Sequence, residues 1–218
     1  MRIQLVRGEA VEEIDLVPSK IIGIGVNYRA HAVEMGKGLP EEPLMFLKPR
    51  SALLPTGGAI ERPAGYERVD YEGELGVVIG TRAQRVSRAR ALEYVMGFTC
   101  VNDVTVRELQ KRDGQWTRAK GFDTFCPIGP RIIAGLDPSS LKISTRVNGE
   151  LRQDSSTADL IFDVPAILEF VTRHMTLEIG DVISTGTPSG VGNLAVGDRV
   201  EVEIEGIGVL SNTVIARP

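Results

Sequence analysis

Short apolar runs separated by glycine, proline and polar residues recur along the whole chain. The run at 21–26 is continuous and predicts a buried strand, because a strand covered on both faces needs no polar alternation. At 199–206, Val200, Val202 and Ile204 alternate with charged residues, which predicts a strand with one buried and one solvent-facing side. Further strands are predicted at 2–6, 13–17, 44–47, 72–79, 94–101, 141–147, 151–153 and 182–185.

Helical periodicity is clearest at 164–174, with Pro165 in the first turn. Ile167, Leu168 and Val171 fall on one face of that helix, as expected for a helix that packs on a core. Shorter helical segments are predicted at 27–35, 89–93 and 105–112.

Two of the shorter helices have candidate caps. Asn27 stands where it can cap the first of them, and Gly36 can end that helix. Thr105 with Glu108 three residues later has the spacing of a capping box at the start of another.

Strands and helices do not alternate regularly, and the 218 residues include 24 glycines and 12 prolines. This pattern favours an α+β, strand-rich domain built around antiparallel or mixed sheets. A proline and a serine follow the first two strands, so we expect a short N-terminal β segment at 1–20 and a main domain at 21–218.

The charge balance limits the partners that the protein can bind. The net charge is −4 and the sequence pI is about 5.4, so nucleic acid and anionic membranes are not expected partners. The chain has two histidines and two cysteines, which excludes a three-histidine or four-cysteine zinc site within one chain. The sequence has neither an apolar leader nor a run long enough to span a bilayer, and we expect a soluble, cytoplasmic protein.

Three acidic residues form the first candidate site. Glu72 and Glu74 lie two apart in a predicted strand, so their side chains share a face about 6.7 Å apart. Asp103 follows another apolar run and stands at a strand end. Carboxylates without thiolate or imidazole suit Mg²⁺, Mn²⁺ or Ca²⁺. The alternative is an exposed polar strand edge.

A second candidate is the pair His31 and Glu34, which are three residues apart on a predicted helix. A histidine oriented by a carboxylate is a common general base near neutral pH. A surface pair that only stabilises the helix is the alternative.

The glycine- and threonine-rich loop at 185–192 directly follows a predicted strand, and its backbone N–H groups can bind an anion such as a carboxylate. It lacks the lysine of a phosphate loop, so nucleotide binding is not expected. Lys48, Arg107 and Lys120 stand near the ends of predicted elements, where single cations are most often solvated.

Taken together, these segments resemble the short-chain, acylpyruvate hydrolase-like members of the fumarylacetoacetate hydrolase family. The matching stretches run in family order from about residue 21 to 192 and are GVNYRAHAVEMG, EPLMFLKP, DYEGELGVVIG, FTCVNDVTVRELQ, WTRAKGFDTFCPIGP, VNGELRQ and DVISTGTPSGVG. The resemblance implies a mixed β-sandwich roll with a few short helices, a divalent metal, Mg²⁺ or Mn²⁺, and a homodimer.

By position, the resemblance also implies roles for individual residues. Glu72, Glu74 and Asp103 resemble the metal ligands, His31 and Glu34 the pair that activates water, and Lys120 the lysine that faces the substrate oxyanion. Arg107, Gln110 and Thr187 match positions that contact the substrate.

The activity that the resemblance implies is metal-dependent hydrolysis of a C–C bond in a 2,4-dioxo acid of the acylpyruvate or fumarylpyruvate type. Two alternatives use the same site, namely isomerisation of 2-hydroxyhepta-2,4-diene-1,7-dioate in aromatic catabolism and decarboxylation of oxaloacetate. A non-catalytic protein that binds small acids is the alternative from another class.

Overall fold

The computed structural model describes residues 1–34, 36 and 38–217, except for the side chains of Ala32 and Glu34. The helices are α1 (Arg29–Glu34), α2 (Arg107–Asp113), α3 (Thr117–Lys120) and α4 (Val164–His174). The strands are β1 (Arg2–Arg7), β2 (Ala10–Asp15), β3 (Ile21–Gly25), β4 (Leu44–Lys48), β5 (Leu53–Pro55), β6 (Ala59–Arg62), β7 (Val69–Tyr71), β8 (Gly73–Ile79), β9 (Val95–Asn102), β10 (Thr105–Val106), β11 (Cys126–Ile133), β12 (Lys142–Val147), β13 (Glu150–Ser156), β14 (Val182–Ser184), β15 (Gly192–Asn193), β16 (Arg199–Ile204) and β17 (Gly208–Ala216). Three 3₁₀ turns cover Arg50–Ala52, Arg88–Tyr94 and Thr157–Asp159.

The largest sheet has the strand order β2-β1-β11-β9-β8-β14-β3-β4, and β5 pairs with β11 beside that path. It is a mixed sheet, since β1 pairs with β11 and β14 pairs with β3 in parallel, whereas β8 and β9 are antiparallel. The pairing places β8 and β9 side by side in the middle, with Gly73 opposite Asn102.

Two smaller sheets complete the fold, with the orders β10-β7-β15 and β13-β12-β16-β17-β6. The chain passes from the three-stranded sheet into the large sheet at Glu72, between β7 and β8. It returns at Asp103, between β9 and β10, and the Asp103 N–H donates to the Glu72 carbonyl at 2.8 Å. The two crossings therefore lie side by side, which brings two distant acidic residues to one place.

Buried apolar clusters cover both faces of the large sheet. One cluster joins alternate residues of β8 (Leu75, Val77 and Ile79) to α4 and to β12, β16 and β17. The opposite face of β8 contributes Val78 to a second cluster with β1, β3 and β11. Glu74 is four residues from Val78 and shares its face, as the strand period requires.

The expected fold class is confirmed: the chain is strand-rich, with mixed sheets and a few short helices. Helix α4 has the predicted bounds, and Asp163 caps it by accepting a bond from the Ala166 N–H at 2.9 Å. The Asn148-Gly149 pair forms the turn between β12 and β13, with both residues at positive φ. No helix in the described part of the chain is long and apolar enough to cross a membrane.

Gly36 ends helix α1 as predicted, with a positive φ of 64° and its N–H donating to the Val33 carbonyl at 3.0 Å. The two predicted N-caps are wrong. Helix α2 begins after Val106, and Thr105 belongs to strand β10. The Glu108 carboxylate accepts bonds from two N–H groups of a neighbouring loop instead of closing a capping box. The Asn27 side chain bonds the backbone of Phe162 and residue 185, so it joins segments distant in sequence.

Candidate active site

The three acidic residues converge, although Asp103 is about 30 residues from the others in sequence. One carboxylate oxygen from each of Glu72, Glu74 and Asp103 lies within 4.8 Å of the other two. All three side chains are buried, with relative exposures of 4%, 2% and 1%. The alternative of an exposed strand edge is therefore wrong.

Two lysines from different elements enter this acidic cluster. Lys120, the last residue of α3, places Nζ 2.8 Å from Glu72 Oε2 and 2.5 Å from Asp103 Oδ2. Lys48, the last residue of β4, places Nζ 2.5 Å from Asp103 Oδ1. Both lysines are buried, so the expectation that these cations are solvated is wrong.

Sequence reasoning gave Lys48 no place in the site. The available signal was its position directly after a predicted apolar strand and before Pro49. A lysine in register with the buried Ile21 of β3 needs a buried anion, because an unpaired charge is costly in a core. Asp103 provides that anion.

Arg107 closes another side of the cluster from the first turn of α2. Its guanidinium lies 2.6 Å from Glu72 Oε1 and 2.7 Å from Asp70 Oδ2, and it donates to Gln110 Oε1 at 2.8 Å. Asp70 is fully buried on β7 and was another residue that the sequence did not indicate. The arginine is thus held in place by three side chains.

The two glutamates differ in charge because their surroundings differ. Burial opposes ionisation of Glu72, but the charges of Lys120 and Arg107 outweigh it and lower the pKa of Glu72 to about 2. Burial, followed by the negative charges of Asp103 and Glu72, raises the pKa of Glu74 to about 8. At neutral pH without a cation, Glu72 is therefore ionised and Glu74 mostly protonated.

Lys120 is a cation at neutral pH. Burial works against its charge, but the carboxylates of Asp103 and Glu72 more than compensate and raise its pKa above the ordinary value. It also donates to Thr105 Oγ1 at 2.8 Å. Lys120 can therefore stabilise negative charge, but it cannot accept a proton as a general base.

The loop after β14 binds a carboxylate, as its sequence predicted, but that carboxylate belongs to the protein. The Gly186 N–H and the Ser184 hydroxyl donate to Glu74 Oε2 at 2.8 and 2.5 Å. The Thr187 hydroxyl donates to the Gly73 carbonyl at 2.9 Å, so its proton is already in use. The loop holds the acidic strand in position.

One cavity contains every predicted site residue whose side chain is described. These residues are His31, Glu72, Glu74, Asp103, Arg107, Gln110, Lys120 and Thr187. The rings of Phe46 and Trp116, with centroids 5.5 Å apart, form an apolar wall of the cavity. The free volume is about 20 Å³, enough for about one water molecule.

Of the predicted pair of His31 and Glu34, the histidine lies in the cavity. His31 is 7% exposed and lines the cavity. Glu34 is the last residue of α1, and its side chain lies outside what the structure describes. The pairing of these two residues stays a prediction.

The chemistry of the cluster fits a divalent metal ion. Three carboxylates are hard oxygen donors, the kind that Mg²⁺ and Mn²⁺ prefer, and their oxygens are near enough to share one ion. The buried cysteines Cys100 and Cys126 lie outside the cavity, so no soft sulfur ligand takes part among the described residues.

Known proteins are similar to this chain in both sequence and fold. The family model described as fumarylacetoacetate (FAA) hydrolase C-terminal matches residues 20–215. The oxaloacetate tautomerase YisK of Bacillus subtilis is 46% identical over 211 residues, covering 90% of this chain and 70% of that protein.

Two solved structures extend the comparison. The 2-hydroxyhepta-2,4-diene-1,7-dioate isomerase of Mycobacterium marinum is 44% identical, with a TM-score of 0.87 over 94% of this chain and 78% of the other. The fumarylpyruvate hydrolase of Pseudomonas aeruginosa, in complex with Mn²⁺ and pyruvate, is 32% identical, with a TM-score of 0.90 over 99% and 97% of the two chains. The resemblance seen in the motifs is thus confirmed, and the chain belongs to the fumarylacetoacetate hydrolase family of enzymes.

Proposed function

We propose that the protein is a divalent-metal-dependent hydrolase that cleaves a C–C bond in 2,4-dioxo acids of the acylpyruvate or fumarylpyruvate type. The observation that carries this proposal is the convergence of three buried carboxylates in the cavity that also contains His31, Arg107 and Lys120. The similarity to a fumarylpyruvate hydrolase, whose structure contains Mn²⁺ and pyruvate, supports it.

Glu72, Glu74 and Asp103 would hold the ion, Mg²⁺ or Mn²⁺. When bound, the ion would supply Lewis-acid chemistry to the oxygens of a 2-oxo acid and stabilise negative charge that develops there.

The charge balance of the site suits an anionic substrate. Four buried carboxylates and three cationic side chains meet there, namely Asp70, Glu72, Glu74, Asp103, Lys48, Arg107 and Lys120. Arg68 adds a further positive charge at Asp70, from a side chain that is 55% exposed. A bound divalent ion makes the site more positive even where it displaces the Glu74 proton, and an anionic 2-oxo acid compensates that charge.

His31 is the proposed general base, oriented by Glu34. It takes a proton from water, and the oxygen of that water adds to the C4 carbonyl carbon of the substrate. The C3–C4 bond then breaks, its electron pair passes to the pyruvate fragment as an enolate, and C3 is protonated afterwards. The products are a carboxylic acid and pyruvate, which together contain all atoms of the acylpyruvate and one water.

Lys120 and Arg107 interact with negative charges of the reacting substrate. The Lys120 ammonium, held between Glu72 and Asp103, stabilises the oxyanion of the departing enolate. Arg107 and Gln110 contact the substrate carboxylate from α2. Thr187 contributes to the shape of the cavity, and any bond from its hydroxyl to substrate would replace the present bond to Gly73.

The direct test is Glu72→Gln, followed by metal analysis and by turnover of acetylpyruvate. We expect both metal content and pyruvate release to fall sharply, because the variant removes one anionic ligand. Glu203→Gln, an exposed glutamate of β16, is the matched control and should change neither. Full metal content and full turnover in Glu72→Gln would refute the ligand assignment.

Tautomerisation of oxaloacetate is the second candidate. It is favoured by the 46% identity to an enzyme of that name. It moves a proton but requires no attacking water. Incubation of the pure protein and Mg²⁺ with acetylpyruvate or oxaloacetate, with pyruvate and the enol absorbance both followed, separates hydrolysis, decarboxylation and tautomerisation.

We also propose a homodimer, on the basis of the family resemblance. Light scattering of the purified protein would give a mass near twice 23.6 kDa for a dimer, and a mass near 23.6 kDa would refute this proposal.

A further inference from the structure

The segment VNGELRQ belongs to the motifs of the chain, but none of the roles above uses it. It ends with Gln153 on β13, the edge strand of the five-stranded sheet. Its neighbours Arg152 and Asp154 are exposed, whereas Gln153 is only 1% exposed. A long polar side chain buried on an otherwise solvated edge strand needs partners, because an unsatisfied buried amide is costly.

Those partners belong to the proposed active site. The Gln153 amide Nε2 donates to Thr187 Oγ1 at 2.8 Å and to the Pro188 carbonyl at 2.9 Å. Its Oε1 accepts from the Gly73 N–H at 3.0 Å. Because the Thr187 hydroxyl in turn donates to the Gly73 carbonyl at 2.9 Å, the three residues form a closed ring of hydrogen bonds.

Gly73 is the residue between Glu72 and Glu74, so this ring fixes the backbone that carries two of the three carboxylates. Both polar groups of Gly73 are held, one by Gln153 and the other by Thr187. No side chain fits at this position, since a Cβ there would lie 2.2 Å from Thr145 Oγ1. The orientation of the two glutamates therefore depends on how this glycine is held.

The loop is held by the same strand. A Cβ on Gly190 would lie 2.1 Å from the Arg152 carbonyl oxygen, so the loop backbone packs directly on β13. Tyr71 adds a bond from its hydroxyl to the Gly190 carbonyl at 2.9 Å. The same loop binds Glu74 through Gly186. Gln153 links β8 to this loop through its amide, in addition to the direct bond from Thr187 to Gly73.

We propose that Gln153 is a positioning residue of the metal centre. It acts through Gly73 and Thr187 to hold Glu72 and Glu74 in the arrangement that one cation requires. The proposal rests on the proposed function only for the presence of a cation, and it does not depend on which reaction follows.

The test is Gln153→Met, which keeps the length of the side chain and removes all three hydrogen bonds. We expect the Mn²⁺ dissociation constant, measured by calorimetry well below the melting temperature, to rise about 10- to 100-fold, as for other residues that orient ligands. Hydrogen exchange should accelerate in peptides covering 72–76 and 184–190 and stay unchanged at 21–25. Gln4→Met, an exposed glutamine of β1, is the matched control and should alter neither readout.

Gln153→Asn keeps the amide on a shorter side chain and serves as the second variant if Gln153→Met does not fold; we expect a smaller change in the same direction. A lower melting temperature with unchanged Mn²⁺ affinity and unchanged exchange would overturn the proposal, since Gln153 would then be only structural. A wild-type protein that binds Mn²⁺ but cleaves no acylpyruvate would refute the proposed reaction alone. If the wild type binds no Mn²⁺, the metal centre is refuted, and with it the role of Gln153.

Discussion

The metal affinity of this site is expected to depend steeply on pH, because one of the three proposed ligands carries a proton before the metal binds. Burial and the charges of Asp103 and Glu72 raise the pKa of Glu74 to about 8, whereas the pKa of Glu72 is about 2. A carboxylate must be ionised to coordinate a cation. At neutral pH the incoming metal therefore has to displace the Glu74 proton.

The size of the effect follows from the fraction of Glu74 that is ionised. Well below pH 8 this fraction falls about tenfold for each pH unit, and the apparent affinity falls with it. Between pH 8 and pH 6 the apparent dissociation constant should rise about 50-fold, whereas between pH 8 and pH 9 it should change by only about twofold. Glu72 stays ionised over this whole range and contributes no slope.

Calorimetric titration with Mn²⁺, in buffers that differ in ionisation enthalpy, measures both the affinity and the protons released. We expect nearly one proton per ion at pH 6.5 and about half a proton at pH 8. Glu74→Gln should bind weakly and lose the pH dependence. His31→Asn removes another titratable group of the cavity and should keep the dependence, as should the exposed control Glu203→Gln.

A dissociation constant that stays the same from pH 6 to pH 8, with no proton released at pH 6.5, would refute this reasoning. Glu74 would then be ionised before the metal arrives, and the surrounding cations would have to outweigh its burial. Loss of the pH dependence in His31→Asn would assign the released proton to the histidine instead.

Three further predictions concern single groups and the stability of the protein. His31→Ala should retain its metal but lose about 100-fold or more in acetylpyruvate turnover, and a mild loss would exclude His31 as the base. Lys48→Met should lower the free energy of unfolding in urea by about 3 kcal/mol, because it leaves Asp103 with one buried cation fewer. The exposed Lys142→Met should change that free energy by no more than about 0.5 kcal/mol, and equal losses in the two variants would contradict the burial argument. The melting temperature of the metal-free protein should fall as the pH rises from 5 to 8. Because folding raises the pKa of Glu74, the folded state binds this proton more tightly than the unfolded state does. The resulting stability is fully present below about pH 4.5 and is lost as the pH approaches 8. Excess Mg²⁺ should reverse the fall, and a melting temperature that rises over this interval would contradict the assignment.

Elements whose signals are local could be predicted from the sequence. Helix α4 has the predicted bounds because its apolar face, its Pro165 and the preceding Asp163 all act within a few residues of each other. Strand β16 was predicted from alternation alone, and Val200, Val202 and Ile204 are indeed buried. In both cases the signal and the structure depend on the same neighbouring residues.

Strand β11 was missed, although it is an interior strand of the large sheet. Its sequence, CPIGPRII, contains two prolines and a glycine, which usually indicate a loop. It is a strand because β1, β5 and β9 all pair with it, and its register with β9 shifts between Gly129 and Ile133. Such pairing comes from distant segments and has no local signature.

The two wrong N-cap predictions also result from contacts outside the local segment. Thr105 and Asn27 are residue types that often cap helices, but their polar side-chain atoms bond groups outside the helices that they were predicted to cap. Thr105 accepts a bond from Lys120, and Asn27 joins α1 to the segment before α4. A cap prediction from residue type considers only hydrogen-bond partners within a few residues, whereas the folded chain also brings donors and acceptors from distant segments.

By itself, the sequence determined the chemical type of the site: three carboxylates, a histidine and several cations, in an order that identifies the family. Only the tertiary structure decided that Lys48 and Asp70 belong to it, that the 185–192 loop binds Glu74, and that Gln153 links that loop to Gly73. The reason is physical. Residue type and spacing are properties of the chain, but charge, protonation and hydrogen bonding depend on burial and on distances through space, which exist only after the two sheets meet at Glu72 and Asp103.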